Sequence, residues 1–324
     1  MIRIGILGCA NIALRSIIPS LMDMPEYFTI AGIASRQSEK SNECAKKYKS
    51  VAYNSYSELI ELNTLDAVYI PLPNSMHFEW VQKSLENGLH VLVEKSMGCN
   101  FNEVQTLNQI AKDNNLVLME NFQFRFHPQL EIIQKLLLEN SIGELRSIHS
   151  MFGFPPFPDP NNIRYQKLLG GGALLDAGAY PMKISQIILG IDLEVQAASL
   201  SYEDNFEVDI WGGGFLKQKS GKLFSEIAFG FDHFYQCKLE IWGSKGKLIA
   251  PRIFTAPPDY KAKIIIETEK GIDYIDADQS NHFKNMLLHF YETIAAANDQ
   301  RKKEYLHNVN QARLLEEFRI KANE

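Results

Sequence analysis

The residues best suited to chemistry in this 324-residue chain follow a run of three glycines, Gly170-Gly171-Gly172. Asp176 and Tyr180 come next, four residues apart, in a segment whose composition favours a helix. On a helix this spacing puts both side chains on one face. Glycines free the backbone from its usual steric limits, so the run predicts a tight turn that leads into the helix. The segment therefore presents a carboxylate and a phenol, two groups that handle protons, to one small molecule.

Each of these residues also has a purely structural interpretation. Asp176 can cap a helix or pair with a basic side chain, and Tyr180 can fill space with its hydroxyl satisfied. Pro181 lacks a backbone N–H and predicts a kink in the helix. A catalytic role is favoured over a structural one only if a cofactor site and a third polar group accompany the pair.

The first 120 residues supply the elements that would position such a site. Apolar runs predict short strands, and helical patterns lie between them. The strands are Arg3–Gly8, Phe28–Ala34, Ala67–Ile70, His90–Val93 and Leu116–Met119, and the helices are Leu14–Met22, Glu39–Tyr48, Phe78–Asn87 and Asn102–Asp113. Strands that alternate with helices predict a parallel sheet covered on both faces.

The turn after the first strand resembles the dinucleotide fingerprint G-x-G-x-x-G. Only its first glycine, Gly8, is present, and alanine takes the other two places. The turn follows an N-terminal strand and precedes a helix, which favours a pyrophosphate site over an ordinary α/β turn. The predicted cofactor contacts here are Gly8, Cys9, Ala10, Asn11 and Ile12.

The end of the second strand indicates which dinucleotide binds. NAD sites place an acidic residue there to hold the ribose 2′-hydroxyl, whereas this chain has Ser35 and Arg36, with Lys40 nearby. A hydroxyl and a guanidinium bind a 2′-phosphate that a carboxylate would repel. The sequence thus predicts NADP(H) in preference to NAD(H). The alternative is that Arg36 is a solvated loop residue.

A charged pair, Glu94-Lys95, ends the fourth of these strands. Ligands of such sheets bind at the carboxyl ends of the strands. Burial and neighbouring charge shift the pKa of a lysine at such a position, which suits it to proton transfer. The alternative is a lysine that simply reaches solvent.

Several motifs occur together in one order, and together they resemble the glucose–fructose oxidoreductase/inositol dehydrogenase (Gfo/Idh/MocA) family of NAD(P)-dependent enzymes. They are Gly8–Ala13, Pro71–His77, Glu94-Lys95, and Gly171-Gly172 with Asp176 and Tyr180. The resemblance covers essentially the whole chain. It implies an N-terminal Rossmann dinucleotide-binding domain over residues 1–122. An α+β domain with an open, mostly antiparallel sheet would follow over residues 123–324, for substrate binding and oligomerisation.

Three further segments are similar to the branch that reduces the 3-keto group of nucleotide-linked, for example dTDP-linked, deoxysugars. They are Asn121–Gln129, Asn162–Gln166 and Arg252–Pro258. The resemblance implies further cofactor contacts at Leu72, Pro73, Asn74, His77, Glu94 and Lys95. It also implies substrate contacts at Gln123 and Tyr165, while Arg164 and Arg252 are suited to a diphosphate.

One departure concerns the residue after Lys95. The family usually has proline there, often with an unusual peptide geometry, and this chain has Ser96. A cis peptide before a non-proline residue costs about 2.5–4 kcal/mol. The sequence leaves both a trans and a cis peptide open.

The implied reaction transfers a hydride to a ketone and then needs a proton. A phenol has an ordinary pKa of about 10, and a nearby ammonium lowers it. The first assignment makes Tyr180 the proton donor, Lys95 its electrostatic partner and the group that polarises the ketone, and Asp176 the orienting residue. In the rival assignment Lys95 donates directly and Tyr180 positions the substrate.

The second half of the chain has a different pattern of predicted strands and helices. Its strand-like segments are Glu144–Phe154, Val195–Tyr202, Ile210–Leu216, Leu223–Phe231, Cys237–Trp242 and Ile264–Glu267. Few helices separate them, which favours a largely antiparallel sheet, and Asn308–Ala322 predicts a closing helix. The family implies that helices cover one face of this sheet and that the other pairs with a second subunit in a homodimer or homotetramer. The aromatic loop Phe154–Pro160 is either a connector or a wall of the substrate pocket.

Composition excludes several classes of function. A net charge of −6 argues against general nucleic-acid binding. No apolar run reaches the roughly 18 residues of a membrane span. The four cysteines are far apart without a CxxC pair, which predicts reduced thiols in a cytoplasmic protein and no metal site.

Two alternatives remain at this stage. One is oxidation of a free polyol such as inositol, or of a diol. Such relatives more often carry histidine at position 180 and acidic residues at positions 35 and 36. The other is a non-catalytic NADP(H)-binding sensor, which would need none of Lys95, Asp176 and Tyr180.

Overall fold

The chain forms two compact units in the computed structural model, which describes residues 1–296 and 299–324. The first unit comprises Met1–Phe122 and Phe283–Val309. The second comprises Gln123–His282 and Asn310–Glu324. The sequence predicts residues 283–309 in the second domain. They pack in the first unit because their aromatic and polar side chains meet it, as where Tyr291 lies edge-on to Tyr27 with ring centroids 5.0 Å apart.

A six-stranded parallel sheet forms the centre of the first unit, in the order β3-β2-β1-β4-β5-β6. The strands are β1 Ile2–Leu7, β2 Phe28–Ala34, β3 Ala52–Tyr53, β4 Ala67–Ile70, β5 His90–Glu94 and β6 Leu118–Asn121. Every residue of β4 and β6 is buried, as expected of parallel strands covered on both faces. The order 3-2-1-4-5-6 is that of the Rossmann fold, so the predicted fold class is confirmed.

Helices cover this sheet. They are α1 Ile18–Met22, preceded by a π-helical turn over Ala13–Ile17, α2 Ser38–Tyr48, α3 Tyr56–Ile60, α4 Asn74–Glu86, α5 Phe101–Asp113 and α8 His282–Ala295. Asn100 caps the N-terminus of helix α5, where its Oδ1 accepts the Glu103 N–H at 3.0 Å. The predicted helices are present. Strand β3 and helix α3 were not predicted, because they have only 2 and 5 residues and are too short to show a hydrophobic period.

An eight-stranded sheet forms the centre of the second unit, in the order β14-β13-β12-β11-β7-β10-β9-β8. The strands are β7 Leu145–Gly153, β8 Leu193–Tyr202, β9 Asp209–Gln218, β10 Phe224–Gly230, β11 Gln236–Gly243, β12 Gly246–Ala250, β13 Lys263–Thr268 and β14 Gly271–Asp276. Only the β7–β10 pairing is parallel. The predicted open, mostly antiparallel sheet is confirmed, with β12 and β14 as strands that the pattern did not reveal.

Helices pack on one face of this sheet. They are α6 Pro128–Leu138, α7 Ala179–Leu189 and the second half of α9 Asp299–Ala322. Nine residues of α7 are buried, and Phe318 of α9 packs against Phe229 of β10 with ring centroids 5.6 Å apart. Helix α9 begins nine residues earlier than the predicted closing helix. Among the described residues, no helix combines the length and apolar character that a membrane span requires.

Candidate active site

The turn after β1 depends on Gly8. Its φ of +123° is a conformation that L side chains rarely adopt, and a Cβ there would lie 2.9 Å from Leu72 Cδ2. Its N–H donates to Ala34 O at 2.9 Å, which ties the turn to the end of β2. The residues that follow are at least partly exposed, so their backbone is open to a ligand: Cys9, Ala10, Asn11 and Ile12.

A cavity of about 330 Å³ lies beside this turn. Its lining residues are Cys9, Ser35, Arg36, Gln37, Lys40 and Tyr56. The structure thus brings together the three residues predicted to hold a 2′-phosphate. The lining carries two cationic side chains and no carboxylate, so it complements a phosphate group.

The thiol of Cys9 does not disturb this charge balance. Burial raises its pKa to about 12, and neighbouring Cys44 adds to the shift. The thiol is therefore neutral near pH 7 and contributes no negative charge. Ser35 Oγ accepts the Gln37 N–H at 3.2 Å, which fixes the hydroxyl at the end of β2.

Gln37 and Tyr56 are lining residues that sequence reasoning missed. Tyr56 stands at the start of α3, where burial raises the pKa of its phenol and Arg36 opposes the rise. A local signal for this helix exists in Ser55-Tyr56-Ser57-Glu58, since Ser55 Oγ accepts the Glu58 N–H at 3.1 Å. The S-x-x-E spacing of a capping box could have predicted it.

His77 lies in the protein interior between two backbone carbonyls. Its side chain is fully buried, with Nδ1 2.7 Å from Ser96 O and Nε2 2.8 Å from Leu72 O. Burial lowers the pKa of this imidazole to about 4, although both carbonyls oppose the shift. Carbonyl oxygens lie within hydrogen-bond distance of both ring nitrogens, so the imidazole joins the loop that carries Leu72 and Pro73 to the segment after β5. The predicted contact of His77 with a cofactor stays a prediction.

The end of β5 carries Glu94 and Lys95. The Glu94 carboxylate accepts hydrogen bonds from the Tyr69 hydroxyl at 2.5 Å and from Asn121 Nδ2 at 2.7 Å, so neighbouring strands fix it. The peptide bond between Lys95 and Ser96 is cis. The structure thus resolves the choice that the sequence left open at Ser96.

In the second unit, the glycine run allows two close approaches of the backbone. A Cβ at Gly171 would lie 2.4 Å from Arg164 O, and the Gly172 N–H donates to that same oxygen at 2.9 Å. A π-helical turn over Leu174–Gly178 follows and continues into α7. Asp176 lies in the π-helical turn and Tyr180 in the first turn of α7. The irregular turn stands where the sequence predicted a kink before Pro181.

Asp176 pairs with Arg164. Arg164 Nε donates to Asp176 Oδ2 at 2.7 Å, and the guanidinium carbon lies 4.8 Å from the centre of the Phe157 ring. The Asp176 carboxylate is the main cause that raises the pKa of Arg164, and the Tyr180 and Tyr165 phenols add to it. The Arg164 Nε is engaged with Asp176, and the predicted contact of Arg164 with a diphosphate stays a prediction.

Tyr180 stands in an aromatic cluster. Its ring centroid lies 4.9 Å from that of Phe152, 5.5 Å from Phe254 and 5.9 Å from Phe124. The side chain is 8% exposed. Packing on three sides fixes the direction of the phenol.

The other predicted substrate residues have contacts within the second unit. Gln123 Nε2 donates to Phe254 O at 3.4 Å. The Tyr165 hydroxyl accepts the Phe157 N–H at 2.9 Å, and its ring stacks on Phe206 at 4.4 Å. These contacts make Tyr165 a support of the aromatic loop.

Arg252 is held at the start of another loop. Its Nε donates to Thr255 O at 3.0 Å, and its guanidinium lies over the rings of Tyr235 and Tyr260. Its side chain is partly exposed.

Sequence reasoning also missed Asp209, the first residue of β9. Its Oδ2 accepts the Leu174 N–H at 2.6 Å, at the start of the helix that carries Asp176 and Tyr180. The two residues are 35 positions apart, so no local pattern reports the contact.

Comparison with known proteins gives the family. The sequence model of the Gfo/Idh/MocA oxidoreductase family, NAD-binding Rossmann fold, matches residues 2–122. The model of the Gfo/Idh/MocA C-terminal domain matches residues 131–249. The chain belongs to the Gfo/Idh/MocA family. The resemblance predicted from the motifs is confirmed.

Within the Gfo/Idh/MocA family, the chain is similar to sugar-nucleotide reductases over most of its length. It is 37% identical over 295 residues to a dTDP-3,4-didehydro-2,6-dideoxy-alpha-D-glucose 3-reductase of Saccharopolyspora spinosa, covering 91% of this chain and 88% of the relative. It is 30% identical over 291 residues to D-xylose 1-dehydrogenase (NADP(+)) 2 of Haloferax volcanii, covering 90% of this chain and 88% of the relative.

A solved structure from the Gfo/Idh/MocA family has the same fold. A 3-ketoreductase from Actinomadura kijaniata, crystallised in complex with NADP and TDP-benzene, superposes with a TM-score of 0.90 at 34% identity. The match covers 95% of this chain and 94% of that one.

Proposed function

We propose that this protein is an NADPH-dependent ketoreductase that reduces the 3-keto group of a nucleotide-linked deoxysugar, with a dTDP-linked sugar as the first candidate. The observation that carries the proposal is the 37% identity, over 91% of the chain, to a dTDP-sugar 3-reductase. The related 3-ketoreductase binds NADP and a TDP compound.

The residues of the first unit fit NADP(H). Gly8 provides a turn with no Cβ, and exposed backbone follows it at the start of a helix, a suitable cradle for pyrophosphate. Ser35, Arg36 and Lys40 line the adjacent cavity and would bind the 2′-phosphate. The remaining proposed cofactor contacts are Leu72, Pro73, Asn74, His77, Glu94 and Lys95. When bound, NADPH supplies the hydride that the ketone carbon accepts.

The protein's own residues handle the proton. Hydride arrival at the carbonyl carbon leaves an alkoxide, and we assign the proton that neutralises it to the Tyr180 hydroxyl. Lys95 supplies positive charge that polarises the ketone and favours loss of that proton. Asp176, held by Arg164, orients the donor. The rival assignment makes Lys95 the direct donor and Tyr180 a positioning group.

The second unit is assigned to the substrate. Gln123, Tyr165 and Arg252 are proposed to shape the substrate site, and the partly exposed guanidinium of Arg252 is suited to a diphosphate. Residues 1–122 and 123–324 are accordingly proposed as the cofactor and substrate domains, with residues 283–309 supporting the first.

We infer a homodimer or homotetramer formed through the free face of the eight-stranded sheet. By strand register this face carries Met151, Trp242, Ile272 and Tyr274, which are 40%, 48%, 57% and 60% exposed in the isolated chain. A cluster of large apolar side chains on one face is typical of protein contacts.

All four cysteines lie in the described residues and none forms a disulfide, which supports the proposed cytoplasmic location.

The test is turnover. Purified protein is incubated with NADPH and a dTDP-linked 3-ketodeoxysugar, and loss of NADPH absorbance is followed together with the mass of the sugar product. We expect a product two mass units heavier, from one hydride and one proton. Activity confined to inositol, xylose or a diol with NADP⁺ would instead support the polyol alternative. Tight NADPH binding without turnover of either substrate class would support the sensor.

A further inference from the structure

The helix that carries Asp176 and Tyr180 has no cap from its own neighbourhood. Ala173 is the residue at the N-cap position, and no side chain there accepts a hydrogen bond. The first N–H groups of a helix lack intrahelical partners and need one from elsewhere. Asp209 supplies it, since its Oδ2 accepts the Leu174 N–H at 2.6 Å.

The third glycine of the run is needed for this approach. Gly172 has a φ of +112°, and a Cβ on it would lie 2.4 Å from Asp209 Oδ1. Any side chain at this position would push the carboxylate away from the helix. The glycine run and Asp209 therefore form one structural unit, because Gly172 leaves room for the carboxylate, although 35 or more residues separate them along the chain.

The sheet fixes the other side of Asp209. Asp209 pairs with Tyr202 of β8. The next carbonyl, Ile210 O, accepts the Phe231 N–H at 2.9 Å. The carboxylate thus stands at the first residue of β9, beside a register irregularity of the β8–β9 pair, and holds the helix six residues before Tyr180. Binding residues built on such elements keep their geometry better than residues on loops.

The electrostatic surroundings of Asp209 agree with a carboxylate that accepts hydrogen bonds from the backbone. Burial raises the pKa of Asp209, while the hydrogen bonds from Leu174, Ala173 and its own N–H oppose the rise, as does Arg319 on α9. Asp209 in turn contributes to the raised pKa of Tyr202 on β8.

We propose that Asp209 is a positioning residue for the ketoreductase reaction, because its hold on the Leu174 amide sets the place from which Tyr180 delivers its proton. The proposal rests on the function proposed above. Displacement of a reacting group by about 1 Å can cost roughly 100-fold in rate. Loss of a helix cap by itself lowers stability only modestly, so a large fall in kcat would report on position and not on folding.

Steady-state kinetics of Asp209→Ala, Asp209→Asn and a matched control test the proposal. We expect Asp209→Ala to lower kcat about 10-fold to 100-fold with little change in KM or in the Kd for NADPH. Asp209→Asn keeps an oxygen that can accept the Leu174 N–H, so we expect it to recover most of kcat. The control is Asp204→Ala, which removes an exposed carboxylate from the same β8–β9 connection and should leave kcat within twofold.

A wild-type kcat in Asp209→Ala, or a rise in KM at unchanged kcat, would overturn the positioning role. Hydrogen exchange of the segment 172–182 provides a readout that does not need turnover. We expect faster exchange there in Asp209→Ala, or in Asp209→Ser, which also lacks the carboxylate, if the alanine variant fails to fold, and wild-type exchange in Asp204→Ala. An inactive wild type with this exchange pattern would refute the proposed function and leave the anchoring intact, whereas unchanged exchange would refute the anchoring.

Discussion

Arg164 Nε donates to Asp176 Oδ2 at 2.7 Å, so this guanidinium holds the carboxylate that follows the glycine run. The two side chains are 36% and 16% exposed. The contact needs Gly171, because a Cβ there would lie 2.4 Å from Arg164 O. The glycines thus fix the partner of Asp176 as well as the turn into the helix.

Substitution of Arg164 should lower turnover more than substrate affinity. Arg164→Ala leaves a largely buried carboxylate without its guanidinium, and we expect kcat to fall about 10-fold or more. Arg146→Ala, which breaks the exposed pair with Glu144, is the control and should have wild-type kinetics. A rise in KM with kcat retained would show that Arg164 binds the substrate diphosphate after all.

The cofactor preference should depend on Arg36. Arg36→Glu places a carboxylate in the cavity and should raise the KM for NADPH about 10-fold or more, with a smaller effect on NADH. Lys46→Glu makes the same change of charge on an exposed position of α2 outside the cavity lining. Measurement of kcat/KM with both cofactors checks this. Equal losses in both variants would mean that net charge, and not a 2′-phosphate contact, sets the preference.

The proton donor can be identified with Tyr180→Phe and Lys95→Ala. Phenylalanine keeps the ring contacts with Phe152 and Phe254, so the fold should be retained. Loss of a general acid costs about 10²-fold to 10⁴-fold in kcat, and we expect that loss in Tyr180→Phe. A phenylalanine variant at near wild-type rate, together with an inactive Lys95→Ala, would favour lysine as the direct donor.

His77 should make the fold sensitive to acid. The pKa of its imidazole is about 4 in the folded protein and 6.5 in the reference state. The unfolded chain therefore binds more protons between these values, and stability is lost as pH falls from about 6.5 towards 4. Between pH 7 and pH 4.5 this residue should remove about 2 to 3 kcal/mol.

Urea unfolding of the wild type and of His77→Gln at both pH values measures this contribution. His90 and His282 also have a lowered pKa, but they are present in both proteins and cancel in the comparison. We expect a smaller pH dependence in the variant. An unchanged dependence would show that the imidazole is already protonated between its two carbonyl partners.

The free sheet face should control assembly. Trp242→Glu puts a charge on that face and should shift the oligomer towards monomer in light scattering after size exclusion. Leu138→Glu, on an 83% exposed position at the end of α6, is the matched control. A wild-type molar mass in Trp242→Glu would direct attention to another surface.

Local patterns in the sequence were sufficient for much of the first unit. Continuous apolar runs such as Ala67–Ile70 predicted fully buried parallel strands, and the structure has β4 at the predicted residues. The position of Gly8 between a strand and a helix predicted the turn whose φ of +123° requires glycine. Ser35, Arg36 and Lys40 were chosen from strand-end chemistry alone, and they line one cavity. These features depend on near neighbours in the chain, which is why periodicity and residue type report them.

The tertiary structure decided what distant segments do to one another. The sequence contained Arg164, Asp176 and Asp209, but not the contacts by which Arg164 holds Asp176 and Asp209 holds Leu174. It contained His77, but not the two backbone carbonyls that lie within hydrogen-bond distance of its ring nitrogens. Strands β12 and β14 and the packing of residues 283–309 in the first unit also escaped local patterns. A side chain's partner depends on where the fold brings remote backbone, and no spacing within a segment encodes that.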